Sequence, residues 1–237
     1  MLEAMGWALL GASSLLVGAL VAFRFTIGDR VLGLIMAFGA GVLISAVSYE
    51  LVEEALAVAV NAAVLGAGFG LGALVFLAGD VAIDRRLKGA EGSSGLGIVL
   101  GAVLDGIPES VVIGASLLTG GSVSVAVIVA VFLSNVPESL SASADLVRAG
   151  WAKGKVLAMW AVVVGASTLA AGLGYALLEG ASGSWTATIQ AFAAGAILTM
   201  LADEMIPEGY ERAGHRKLVG VATALGFGLA ALLSFQT

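Results

Sequence analysis

The sequence predicts an all-α membrane protein of eight transmembrane helices with both termini outside. Three observations predict it. Of 237 residues, 59% are hydrophobic and only 12% are charged, too little charge to cover a soluble surface of this length. The apolar residues gather into runs close to the ~20 residues a helix needs to cross a bilayer. The basic residues fall in alternate connections between those runs.

Span 1, residues 5–23, follows Glu3 with no basic residue before it and no clear cleavage site after it. It reads as a retained helix rather than a signal peptide. Arg24 and Arg30 lie in the loop to span 2, residues 31–54. Span 3, residues 62–83, carries Gly66, Gly68, Gly70 and Gly72 in overlapping small-xxx-small patterns that let helices approach closely. Packing within the chain is the expected use, and a homodimer contact is the other. Arg85, Arg86 and Lys88 precede span 4, residues 95–119, and a short turn leads to span 5, residues 122–148. Arg148, Lys153 and Lys155 mark the next loop, before span 6, residues 155–178. Spans 7 and 8, residues 185–207 and 217–235, flank Arg212, His215, Arg216 and Lys217. All 11 Lys and Arg residues thus lie in or beside odd-numbered loops, which the positive-inside rule makes cytoplasmic. The whole chain, 1–237, forms a single transmembrane domain in a lipid bilayer, expected to be the inner (plasma) membrane.

Composition also excludes function classes. A net charge of −6 argues against nucleic-acid binding. Without cysteine there are no disulfides and no thiolate metal ligands. The lone histidine, His215, lies in a polar loop.

The sequence repeats itself. Phe38-Gly-Ala-Gly-Val-Leu-Ile-Ser45 leads to Glu50-Leu-Val-Glu-Glu-Ala55, and Phe192-Ala-Ala-Gly-Ala-Ile-Leu-Thr199 leads at the same spacing to Glu204-Met-Ile-Pro-Glu-Gly209. These phrases sit in spans 2 and 7, which cross in opposite directions, so they form an inverted repeat, as in secondary transporters. Spans 4 and 5 carry a second matched pair, Asp105-Gly-Ile-Pro-Glu-Ser110 and Ser134-Asn-Val-Pro-Glu-Ser139. Every proline in the chain is followed by glutamate, at Pro108, Pro137 and Pro207.

A carboxylate at the bilayer centre costs roughly 2.5–3.5 kcal/mol on insertion scales and marks a functional site by default. Proline there removes a helix hydrogen bond, frees a carbonyl one turn earlier and is expected to kink the helix. Asp105 and Glu109 are four apart and share a face. Ser134 and Glu138 have the same spacing, with Asn135 three before Glu138. Three carboxylates meeting in low dielectric must bind a cation, take up protons, or both. Glu50, Glu53 and Glu54 end span 2 on the outside, and Asp203, Glu204 and Glu208 end span 7 on the inside. They read as acidic vestibules along a transport path or as ordinary interfacial charges. Asp145, seven residues after Glu138, reads as a release-path ligand or as the partner of Arg148.

On these residues the chain resembles the ZIP (Zrt/Irt-like) family of divalent metal transporters, and within it the short bacterial GufA-type branch. The resemblance implies a 3+2+3 inverted-repeat bundle. It implies a metal centre built by the span-4 and span-5 phrases, His-Asn-x-Pro-Glu-Gly and His/Gln-Asn/Asp-x-Pro-Glu-Gly. Here Asp105 stands for the histidine and Gly106 for the asparagine, while Glu109 matches. Ser134 stands for His/Gln, and Asn135 and Glu138 match. Ser110 and Ser139 replace glycines, and Ser167 occupies the place of a span-6 glutamate that bridges two metals. One all-oxygen subsite survives, which favours hard ions such as Mn²⁺, Mg²⁺ or Fe²⁺ without excluding zinc.

The expected function is transport of a divalent cation (Zn, Mn, Fe or similar) toward the cytoplasm, with the metal as substrate and no cofactor. The metal ligands would be Asp105, Glu109, Ser134, Asn135 and Glu138. The path would be lined by Glu50, Glu54, Asp145, Asp203, Glu204 and Glu208. The alternative is a chain of the same fold that has lost transition-metal transport and passes protons or another cation, or serves as a membrane interaction partner. An enzyme is not expected, because Ser110, Ser116 and Ser139 have no histidine or lysine base within the membrane.

Overall fold

A computed structural model of the chain describes residues 1–59, 61–87, 93–120, 125–214 and 216–234. His215 and Lys88 therefore lie outside the described residues. All regular structure among the described residues is helical: α1 (Leu2–Arg24), α2 (Asp29–Ala46), α3 (Glu53–Val58), α4 (Ala62–Leu87), α5 (Ser93–Gly120), α6 (Val125–Arg148), α7 (Lys153–Leu178), α8 (Gly183–Met200), α9 (Ile206–Ala213) and α10 (Arg216–Ser234). Among the described residues, seven helical stretches are long and apolar enough to cross a membrane.

Helix ends follow local chemistry. Asn61 Oδ1 accepts from the Ala63 amide at 2.8 Å and Ser182 Oγ from the Trp185 amide, which satisfies first-turn donors of α4 and α8. Gly214 closes α9 with φ +64°, a left-handed conformation that glycine adopts without steric cost.

The helices pack as two groups. In one, α1 lies along α6 and α7, and α5 lies along α7. Its core contains Ala12, Leu15, Leu146, Val156, Val163 and the fully buried Trp160. In the other, α2 pairs with α10 and α9, and α4 pairs with α8. The groups meet where α2 contacts α6 and α8 contacts α5. Large apolar side chains such as Leu10, Leu20, Leu74, Leu173, Leu225 and Leu232 point away from both cores. A soluble surface does not carry such a belt, and in lipid it costs nothing.

Without a hydrophobic driving force between helices in lipid, association depends on close packing. Glycine provides it here. A Cβ on Gly41 would overlap the Thr223 carbonyl oxygen, and one on Gly195 would overlap that of Phe69. A Cβ on Gly226 would overlap the Phe38 carbonyl oxygen, and one on Gly72 that of Phe192. In span 3, Gly68 and Gly72 are pressed against α8, whereas Gly66 and Gly70 meet nothing within 4 Å. The packing use of that stripe is therefore internal for two of its four glycines.

The helices run continuously through Pro108 and Pro137. The non-α turns lie elsewhere. A π-helical turn, Val47–Val52, joins α2 to α3, and a second, Leu201–Met205, joins α8 to α9. Each begins nine residues after the Phe of its repeat phrase, Phe38 and Phe192. The second precedes Pro207, in the first turn of α9, whose ring crowds the carbonyl one turn back. Such turns cluster at functional sites.

Candidate functional site

The two Pro-Glu helices bring their acids to one place. Asp105 on α5 and Glu138 on α6 line a cavity of about 440 Å³. Asp105 is 7% exposed and Glu109 5%. Asp105 Oδ1 is buried with no hydrogen-bond partner. The charged neighbours of Asp105 are Glu138, Glu204, Glu109 and Asp80. An unpaired buried carboxylate among like charges is costly, so the arrangement calls for a cation or a proton at its floor.

The cavity wall extends from this floor to the ends of α4, α6 and α9. It includes Asp80 and Asp84 of α4, Ser141 and Asp145 of α6, Trp160 of α7, Glu204 and Glu208. Trp160 is held by a buried hydrogen bond from its Nε1 to Ser143 Oγ at 2.8 Å. The rim thus lies on the face that carries Arg85, Arg148 and Arg212.

Other predicted residues are placed differently. Glu109 points to a separate, small cavity of about 20 Å³ beside Ala46, Val47, Leu51, Val112, Val131 and Ile197. Ser134 is buried, and its hydroxyl donates to the Val131 carbonyl at 3.0 Å, leaving its lone pairs as acceptors. Asn135 is buried on the same helix. Asp203 lies in an open groove with Pro207, Glu211 and Arg212. Glu54 accepts a hydrogen bond from Gln190 Nε2 at 2.8 Å, and Glu50 is half-buried in the first π turn. Neither lines the acidic cavity. Among the described residues, no three His, Cys, Asp or Glu side chains form a ready-made metal cluster. The deep acids are gathered around a cavity rather than closed on a point.

The rim acids are already partnered. Arg212 reaches Asp145 Oδ2 at 2.5 Å and Glu208 Oε1 at 2.6 Å. Arg148 reaches Asp145 Oδ1 at 3.0 Å and Asp29 Oδ1 at 3.3 Å. Ser141 also donates to Glu208 at 2.7 Å. Both readings of Asp145 therefore have a counterpart: it lines the cavity and it pairs with Arg148.

Sequence reasoning missed Asp80, Asp84, Trp160 and Gln190. Asp80 and Asp84 carry the same four-residue spacing that singled out Asp105 and Glu109, so the signal was there. Two substituted positions also meet. A Cβ on Gly106 would stand 2.6 Å from Ser167 Oγ, and Ser167 is buried. Ser139 faces Gly18 of α1, whose Cβ would overlap the Ser139 hydroxyl.

A search of curated proteins gives no match to this chain. The model of one protein family does match: ZIP Zinc transporter, over residues 84–234, more than half of the chain.

Proposed function

The chain belongs to the ZIP zinc transporter family, and from that premise we propose that it carries a divalent cation through the deep carboxylates Asp105 and Glu138. The family is one of metal transporters, not of enzymes. The observation that carries the reading is the unpartnered Asp105 Oδ1 at the floor of a cavity walled by Glu138, Glu204, Asp80 and Asp84. None of these acids has a basic partner among the described residues, unlike the rim acids. A divalent ion is the natural neutralising charge.

Glu109 completes the site from the closed side, and Ser134 and Asn135 supply neutral oxygen. All these donors are oxygen, which suits hard ions such as Mn²⁺, Mg²⁺ or Fe²⁺ and still admits zinc. With Gly106 facing Ser167, the place where the family builds a second subsite has no carboxylate, so a single ion binds.

Charge supports an inward direction. The cavity opens on the face of the basic loops, which the positive-inside rule assigns to the cytoplasm. On that orientation the cavity is an inward-facing opening, with Leu51, Val47, Val131 and their neighbours closing the outer side. The π turns and the overlapping glycine contacts recur at one constant spacing along the chain, which supports an inverted repeat and alternating access. Glu50 and Glu54 become the outer counterparts of Glu204 and Glu208.

Proteoliposome uptake of Mn²⁺, Fe²⁺, Zn²⁺, Co²⁺ and Mg²⁺ tests this, with Glu109→Ala/Glu138→Ala as control. Saturable uptake of one ion, lost in the control, is the expected result. Uptake no greater than the control for every ion sinks the proposal. A proton flux in its place would favour the second reading, for which the replaced metal ligands at Gly106 and Ser167 are the motive.

A further inference from the structure

The acids of the cavity divide sharply into two sets. Asp80, Asp84, Asp105, Glu138 and Glu204 have no positive partner among the described residues. Asp145, which also pairs with Arg148, and Glu208 are bridged by one guanidinium, that of Arg212. Its side chain is only 17% exposed, against 52% for the neighbouring Arg148. It spans helices from both packing groups, because Asp145 is on α6 and Glu208 on α9. Asp29 at the start of α2 lies 3.7 Å from its Nη1.

A cation leaving Asp105 and Glu138 passes this rim. Without Arg212, Glu208 would be free and Asp145 held only by the half-exposed Arg148, and the pair would attract a divalent ion and slow its departure. Arginine fits the blocking role. It is always charged, and its planar fork satisfies two carboxylates at once.

We propose that Arg212 is a release residue, a tethered cation that bridges Asp145 and Glu208 so that this pair does not retain the ion leaving Asp105 and Glu138. The inference rests on the transport reading for its meaning. Its central claim, that Arg212 masks a divalent-cation site, does not need transport to be tested.

The experiment uses the full-length chain with Mn²⁺ as probe, in nanodiscs for equilibrium binding and in proteoliposomes for flux. Arg212→Gln is expected to bind more Mn²⁺ per chain than the wild type. Its maximal flux should fall about tenfold, the effect of roughly 1.4 kcal/mol of added retention, with no rise in KM. Arg212→Lys should restore both. The triple variant R212Q/D145N/E208Q should lose the extra ion and regain flux over R212Q. That rescue separates release from a structural role, because a chain that merely needed the ion pairs would not recover when all three charges are gone. Unchanged Mn²⁺ stoichiometry in R212Q, or a triple variant no faster than the single, overturns the inference. A wild-type chain that carries no ion fails the transport reading instead, and the binding arm still decides whether Arg212 masks the rim.

Discussion

Gly106 and Ser167 stand face to face, so close that a Cβ on Gly106 would lie only 2.6 Å from the Ser167 hydroxyl oxygen. One residue lies on α5 and the other on α7, and neither brings a charge to the centre. Equilibrium titration with Mn²⁺ should therefore find a single ion at the deep site. Ser167→Glu places a carboxylate beside Gly106, and a second ion should then bind. An unchanged stoichiometry in that variant would show that position 167 does not reach the metal.

Asp105→Asn removes the charge that the buried, unpartnered Oδ1 helps to carry. Without metal, the variant should be more stable than the wild type, because one like charge leaves the group formed with Glu138, Glu204, Glu109 and Asp80. The stabilisation that a bound ligand gives the wild type should also shrink or vanish. Thermal unfolding with and without Mn²⁺ reads both effects. A variant less stable than the wild type without metal, yet still stabilised by Mn²⁺, would place the cation elsewhere.

Much of this architecture was legible in the sequence because the bilayer leaves the chain few choices. The span limits came from hydrophobic length, and Asp105 and Glu138 from their Pro-Glu phrases. The structure brings those two acids to one cavity. What was illegible depends on tertiary packing. Arg212 and Asp145 lie 67 residues apart, and nothing local announces their pairing. Trp160 joins the cavity wall only because α7 turns it inward toward Ser143. The π turns also escaped, since only Pro207 hints at one of them, while Pro108 and Pro137 sit in continuous helices.

Glycines that look alike in sequence should respond differently to alanine. Gly195→Ala drives a methyl group into the Phe69 carbonyl and should destabilise the fold by about 1–3 kcal/mol. Gly41→Ala, against Thr223, should behave likewise. Gly70→Ala meets open space and should stabilise by up to ~1 kcal/mol through helix propensity. Melting temperatures of the purified variants decide the matter. Equal effects at Gly195 and Gly70 would mean that the α4–α8 approach is looser than described.

The side of the site opposite the cavity is closed by side chains rather than by charge. The space beside Glu109 is about 20 Å³, no more than one water needs. Its other walls, including Val47, Leu51, Val112 and Val131, offer a water no side-chain hydrogen-bond partner, so the space should stay dry. A dry seal predicts carrier behaviour: saturable flux and no steady ion leak when no metal is present. Val47→Ala/Val131→Ala removes four methyl groups from the seal and should admit water to Glu109. Proton leak into dye-loaded vesicles should then rise well above wild type, while Leu10→Ala, on the outer belt, changes nothing. If wild-type vesicles already leak as fast as the double variant, these side chains are not the seal, and the chain conducts by a path that bypasses Glu109.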